Sequence, residues 1–424
     1  MIRKLQPVEP KSATTAGWSI FQTLLESYEP RDCDIRLWDG SSWQAETPPR
    51  FTIALNHPGA LEMMFSEPLE LSLGETYASG DYEVEGDFEA AFRLADHLID
   101  HAPNLKDRLR LGLGLAWLRA GQSSGKARLL SRPLFSDVAG HSRKHSELRD
   151  RLAVTHHYNL SNDFFALWLD PRMVYSCAYF ASPEQDLAAA QVSKLDLVCR
   201  KLQLQPRESF LDIGCGWGGL VIHAAQQYHV QATGITLSDS QAELARERIR
   251  ESGLSDKECR VLVLDYRKLM DAACYDKIAS VGMVEHVGNN QLPRYFTQLF
   301  RLLRPGGLLL NHGISCTRYG EKAIQREFFD RYVFPDTEMS PLDSVLKNAE
   351  EGGFEIRHVE SLRQHYVLTL RAWRENLEMR AEQAQELVGA ETFRIWRMYL
   401  AAAAYSFERG HHSIFQSLLI KPRD

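Results

Sequence analysis

The chain has few cysteines, and their arrangement is irregular. The seven (Cys33, Cys177, Cys199, Cys215, Cys259, Cys274 and Cys316) are scattered, odd in number and without metal-ligand spacing. They read as small core residues in a reducing compartment, not as a disulfide framework or a zinc site. Apolar runs long enough to cross a bilayer are also missing; residues 111–118 form a short one, broken by two glycines. Residues 1–19 are mixed and polar, unlike a secretory leader, so a cytoplasmic location is the expectation. Nor is there an excess of positive charge. Lys and Arg total 49 against 56 Asp and Glu, a net of −7, and no nucleic-acid module is present, which makes nucleic acid a poor partner. Internal repeats and low-complexity tracts are absent as well.

What is there is enough chain for more than one core. At 424 residues, two or three units are expected. Hydrophobic content of 44% and 25% charged residues are ordinary for a globular protein. Charge is divided along the chain. Residues 1–105 carry 18 acidic and 7 basic side chains, a net of −11, whereas residues 106–151 carry 11 basic and 4 acidic, a net of +7. The basic stretch encloses Leu111, Leu113, Leu115, Trp117 and Leu118. Basic groups around an apolar, tryptophan-bearing segment suit an anionic membrane surface. An interdomain connector with solvated arginines is the equal alternative. Short strand-like pieces at residues 35–38, 51–55 and 69–73, separated by turns, predict a small α+β domain over residues 1–120, with a compact turn and strand at 73–84. A linker follows at 121–144, around Gly-Gln-Ser-Ser-Gly, and a catalytic domain at 145–424. Its last third reads as helix over 361–389 and 391–410.

The most informative segment is Phe210-Leu-Asp-Ile-Gly-Cys-Gly-Trp-Gly-Gly219. A buried strand runs into glycines that let backbone approach a ligand closely, and a helix at 220–227 offers its free N–H groups at the same spot. This is a cofactor cradle at the carboxyl end of a strand in an open α/β sheet. Nicotinamide, flavin and S-adenosylmethionine (SAM) sites all use glycine here. A dinucleotide site would usually add an acid about 20 residues on, to hold the ribose. The second strand instead ends in Thr236-Leu237-Ser238; a third ends in Asp265-Tyr266-Arg267, a fourth in Met283-Val284-Glu285-His286. Then Arg304-Pro305-Gly306-Gly307 turns into a fifth. In order and spacing, Asp212, the glycine turn and the Pro-Gly-Gly turn resemble the class I SAM methyltransferases, which implies a Rossmann-like α/β fold with helical additions.

Further motifs narrow the resemblance. They are His156-His157-Tyr158-Asn159 through Phe165, Tyr175-Ser176-Cys177-Ala178-Tyr179-Phe180, Gly282 to Gly288, Asn311-His312-Gly313-Ile314-Ser315, and His365-Tyr366 through Trp373. Five motifs in this order resemble the cyclopropane-fatty-acyl-phospholipid synthases and the related mycolic acid cyclopropane synthases. The likeness is close over 145–424 and looser in the N-terminal region, which is similar to a lipid-binding extension. The resemblance implies that Tyr175 and Ser176 touch the methionine portion of SAM. Asp212, Gly214, Gly216 and Gly218 would form the cradle, Thr236 and Gln241 would meet the ribose, and Asp265, Tyr266 and Arg267 would frame the adenine. It also implies a bound bicarbonate held by Glu285, His312, the Tyr366 hydroxyl and the backbone around Cys177. The partner implied is an unsaturated phospholipid at a membrane surface, met by a peripheral protein for which a homodimer is left open.

The residue types suit that chemistry. An alkene has no acidic proton, so its activation needs no base, but the cation it leaves needs aromatic faces and a dry pocket. Tyr175, Tyr179, Phe180 and Trp217 are candidates to supply both, with packing the equal reading for Trp217. No adjacent Lys or Arg activates Cys177, which favours its backbone and small volume over a thiolate. The chain departs from the family in two places. Ala403 stands where the family carries a cysteine near the bicarbonate site, and residues 334–341 are one residue longer than the family's glycine turn and border the expected acyl path. The reading is a cyclopropane-forming transferase. Ala403 keeps a methyl- or methylene-branching C-methyltransferase open, and a non-catalytic SAM- and lipid-binding protein is the other alternative.

Overall fold

The computed structural model describes residues 12–66, 68–100, 105–120, 144–158, 160–317 and 327–423. Most of the expected linker, with Arg128, Arg132 and Arg143 of the basic stretch, lies outside the described residues, as do the side chains of His156 and His157. The chain divides into two compact units. The first takes the described residues up to Ala120, together with Glu327, Phe328 and residues 390–398; the second takes the remainder.

The first unit opens with the helix Ala13–Leu25, capped by Ser12, whose hydroxyl accepts from the Thr15 N–H. Four strands follow: β1 (Cys33–Arg36), β2 (Ser42–Trp43), β3 (Phe51–Leu55) and β4 (Tyr82–Gly86). They pair in the order β2-β1-β3-β4, with β1 and β3 parallel and the other pairs antiparallel. The strand expected at 69–73 is instead the first turn of a helix, Leu69–Ser79. Its Leu-Glu-Leu-Ser-Leu alternation suits a strand, but packing decides otherwise. Leu71, Gly74, Tyr77 and Ala78, spaced three and four apart on one helical face, are buried, with Thr76 buried beside them. Gly80, at φ 80°, ends the helix in the left-handed conformation.

The second unit is a seven-stranded sheet with helices on both faces. Its strands are β5 (Ser209–Ile213), β6 (Gln231–Thr236), β7 (Cys259–Val263), β8 (Tyr275–Val281), β9 (Leu303–Cys316), β10 (Glu355–Ser361) and β11 (His412–Ile420). The order is β10-β11-β9-β8-β5-β6-β7, parallel from β9 to β7, with β11 antiparallel to both of its neighbours. Successive strand residues feed opposite cores, because side chains alternate across a sheet. Phe210, Leu308 and Leu310 pack with Leu195 and Val198 of the helix Leu187–Lys201 and with Val221 and Ala224 of the helix Gly219–Tyr228. Leu211, Ile213 and Leu309 pack on the other face with Tyr295, Phe296 and Leu299 of the helix Leu292–Leu302. The expected C-terminal helices are Arg363–Met379 and Ala381–Glu408, the latter interrupted at Gly389 (φ 80°, ψ 157°). This is the α/β architecture expected of the catalytic region, and β5 reverses the strand order at its centre, the usual ligand position in such sheets.

Candidate active site

At the end of β5 the backbone turns through Gly214, Gly216 and Gly218, all at positive φ (80°, 54° and 83°). A Cβ on Gly216 would meet nothing within 4 Å, and one on Gly214 only Met283, at 3.7 Å. The two glycines therefore open a cradle that side chains would fill. One cavity is lined by Tyr175, Ser176, Asp212, Gly214, Gly216, Thr236, Gln241, Asp265, Tyr266 and Arg267. Gly218 alone of the cofactor candidates is outside that lining. It caps the helix Gly219–Tyr228, and a Cβ there would come within 3.1 Å of Ala245.

Several of these residues bond to one another or to neighbouring side chains. The Thr236 hydroxyl donates to Gln241 Oε1 at 2.8 Å and accepts from the Ser238 N–H, so it orients Gln241 and leaves the amide nitrogen of Gln241 as the donor. Arg267 turns its guanidinium onto Asp265 (2.5 Å) and Asp150 (3.0 Å), so its charge is spent on two carboxylates. Asp265 in turn accepts the Arg267 N–H and Nε–H, both at 2.9 Å. Tyr266 packs edge-on to Tyr295.

Lys194 lines the same cavity and was not singled out in the sequence. Its Nζ donates to Ser176 Oγ at 2.8 Å, and Gln191 Nε2 donates to the Ser176 carbonyl at 2.9 Å. Burial pushes Lys194 down to about 8, opposed first by the charge of Asp170 and less by that of Asp212, and pushes Asp212 up to about 7, opposed by Lys194. The signal was a lysine on the stripe Leu187, Gln191, Lys194, Leu195 and Val198, the buried face of its helix.

Glu285, His312, Cys177 and Tyr366 lie outside the lining of the cavity, though Ser176 and His286, next to Cys177 and Glu285 in the chain, belong to it. Glu285 sits on the one-turn helix Val284–Val287 just beyond β8, and its Oε1 accepts from the Ile314 N–H of β9 at 2.6 Å. That approach requires Gly313, where a Cβ would lie 2.2 Å from Val284. His312, on β9, has its Nδ1 3.4 Å from Gln416 Nε2 on β11. Glu285 Oε2 and His312 Nε2 are both buried without a hydrogen-bond partner. Native proteins seldom leave such groups unsatisfied unless a ligand or water takes them. Burial raises Glu285 to about 7. Burial, with Lys194 and Lys201 adding to it, lowers His312 to about 3, so this imidazole is neutral near pH 7.

Cys177 is fully buried, and burial pushes its thiol up. Its Sγ faces the Leu362 carbonyl at 3.7 Å, the same carbonyl that accepts from the Tyr366 N–H, while the next N–H, Ala178, donates to Thr369. Cys177 and Tyr366 are thus brought to one turn of the helix Arg363–Met379. Trp373 links Tyr366 (6.0 Å between rings) to Tyr175 (5.2 Å), and Phe165 and Trp168 extend the aromatic wall. Of the other aromatic candidates, Trp217 packs on Phe165 and donates to Asn162, and Tyr179 stacks on His365.

The family described as mycolic acid cyclopropane synthetase matches residues 145–417. The chain belongs to this family. Residues 20–101 match a domain of unknown function (DUF7884). The chain is 39% identical over 394 residues to a Pseudomonas putida protein named "Probable fatty acid methyltransferase", covering 92% of this chain and 91% of that one. It is 32% identical over 400 residues to a tuberculostearic acid methyltransferase of Mycobacterium tuberculosis, covering 90% and 86%. A solved mycolic acid cyclopropane synthase, CmaA1 complexed with SAH and CTAB, superposes with a TM-score of 0.61 at 33% identity, covering 64% of this chain and 98% of that one.

Both departures from the cyclopropane synthetase pattern lie among the described residues. Ala403 is half-buried on the helix Ala381–Glu408, where only a methyl group stands. In the longer loop, Pro335 and Asp336 line the glycine cavity, and Asp336 pairs with Arg149.

Proposed function

We propose that this chain is a SAM-dependent lipid C-methyltransferase that adds one carbon to the double bond of an unsaturated phospholipid acyl chain and leaves a methyl or methylene branch. The observation that carries this reading is the likeness, over about nine-tenths of the chain, to proteins named fatty acid and tuberculostearic acid methyltransferases. The cavity geometry supports the donor. Gly214 and Gly216 leave room for a ligand backbone, Gln241 keeps an amide donor free, and Ser176, held by Lys194, lines the same cavity as Tyr175. SAM, when bound, supplies an electrophilic methyl group.

The residues around it have separable tasks. The wall of Tyr175, Trp373 and Tyr366 presents ring faces to positive charge on the acyl chain and excludes water that would trap it. Glu285 Oε2 and His312 Nε2 provide an acceptor and a neutral donor where a proton must leave. They also suit a small oxyanion, and bicarbonate held there would supply a base. That fit, with the family match, supports a second reading, closure to a cyclopropane. Ala403 removes the thiol expected beside that site and weighs toward the branched product.

The test is to incubate the full chain with SAM, bicarbonate and vesicles of mono-unsaturated phospholipid. A methylene branch and a ring are both one CH2 heavier than substrate, so mass alone does not separate them. Ozonolysis does, because the methylene product keeps a double bond and the ring has none. An ozone-sensitive product, or a saturated methyl branch formed when a hydride donor is added, upholds the proposal. A resistant ring moves the chain to the second reading, and an unchanged lipid with SAM bound overturns both.

A further inference from the structure

His312 has a built-in chain of neighbours that leads away from the reacting side. Register places Glu360 of β10 opposite Gln416 of β11, and Gln416 opposite His312 of β9. Residues paired across a sheet share a face, so the three form one row. Lys201, at the end of the helix Leu187–Lys201, reaches this row. Its Nζ donates to Gln416 Oε1 at 2.7 Å and to Glu360 Oε2. Gln416 is fully buried and His312 is 1% exposed.

The chemistry of this row admits one arrangement. An ammonium group has three donors and no acceptor, so the Gln416 end facing Lys201 is its carbonyl oxygen. The Gln416 amide nitrogen therefore faces His312 Nδ1, at 3.4 Å, and it has only hydrogens to offer. Nδ1 must accept, which leaves the proton of the neutral ring on Nε2. That nitrogen is the one buried without a partner.

We infer that Gln416, anchored by Lys201, is a positioning residue that fixes His312 in the Nε2–H tautomer, so that the ring presents a donor to an oxyanion or carboxylate. Neither Gln416 nor Lys201 touches the glycine cavity. Their effect passes through His312, and its catalytic consequence rests on the placing of His312 in the reacting site proposed above.

The substitution Gln416→Glu keeps the shape and reverses the polarity. A carboxylate there accepts from Nδ1–H, so the proton moves to Nδ1 and Nε2 becomes an acceptor. The full chain, labelled with ¹⁵N-histidine and assigned against His312→Asn, reports the tautomer directly. The wild type is expected to show Nε2 protonated and Nδ1 bare, and Gln416→Glu the reverse. For turnover on unsaturated vesicles, kcat is expected to fall roughly 100-fold, within the range of acid–base contributions, with the KM for SAM unchanged. Lys201→Met, which frees Gln416 to rotate, is expected to give mixed tautomers and a smaller loss; it also serves if the glutamate variant does not fold. A wild-type His312 protonated on Nδ1, or a folded Gln416→Glu variant or, where that does not fold, a Lys201→Met variant with the tautomer unmoved, overturns the inference. A tautomer that switches while kcat stays unchanged upholds the inference and removes His312 from the reaction.

Discussion

Glu285 is an ionisable group kept where ionisation is costly. Its folded value of about 7 lies above the ordinary 4.5. Between the two, the folded protein holds a proton that the unfolded chain releases, so the contribution to stability is full below pH 4.5 and is lost as pH rises through about 7. Ionising Glu285 then costs on the order of 3 kcal/mol. Glu285→Gln keeps the Ile314 contact and removes the charge. Urea melts at about pH 8 are expected to find the variant more stable than wild type by up to that amount, the gap closing toward pH 4.5, while lipid turnover falls at least about 100-fold. A variant no more stable at high pH would mean that the carboxylate is solvated. Glu285, His312 and Tyr366 were legible in the sequence because each sits inside a local motif. Lys201 and Gln416 were not, because their meaning depends on three strands and a helix end that come together only in the folded sheet.

At the scale of elements, the β5 turn separates two kinds of glycine. Gly216 is at positive φ with open space beside it, whereas Gly234, on β6, would put a Cβ 2.7 Å from Cys215 Sγ. Gly216→Ala is expected to cost about 1–2 kcal/mol of backbone strain and to abolish SAH binding by titration calorimetry, since the methyl enters the cradle. Gly234→Ala is expected to lose about 1–3 kcal/mol by overpacking, with binding affected only as far as Cys215 shifts. Equal binding losses in both would contradict the cradle. The five parallel strands were legible because each is a short apolar run ending in turn or polar residues. β10 and β11 went unread: β10 is amphipathic and half-exposed, and β11 carries a buried glutamine amid its apolar residues. Residues 69–73 misled because Leu-Glu-Leu-Ser-Leu satisfies a period of two, and the tyrosine that fixes the helix lies beyond it.

For the whole molecule, two compact units imply that unfolding is not a single two-state event. Scanning calorimetry is expected to give a calorimetric enthalpy above the van't Hoff value. SAH at about 100 times its Kd should add roughly 2.7 kcal/mol to the unit that holds the glycine cavity and leave the other transition in place. A single transition that moves as one would refute this. Among the described residues no helix is long and apolar enough to cross a membrane. With the net charge of +7 over residues 106–151, co-sedimentation is expected with anionic vesicles at low salt, and loss of binding at high salt or on neutral vesicles. Binding indifferent to lipid charge would instead favour the connector reading of that stretch.

The cysteines bear on how such a protein survives its own reagent. A sulfonium that methylates a weak alkene would methylate a nearby thiolate far more readily. Cys215 lines the glycine cavity and Cys177 adjoins it, yet burial pushes both thiols well above their ordinary range and keeps them protonated. Ala403 takes a third sulfur out of reach. Both thiols near the glycine cavity are therefore held in the form least able to compete for an electrophilic methyl group.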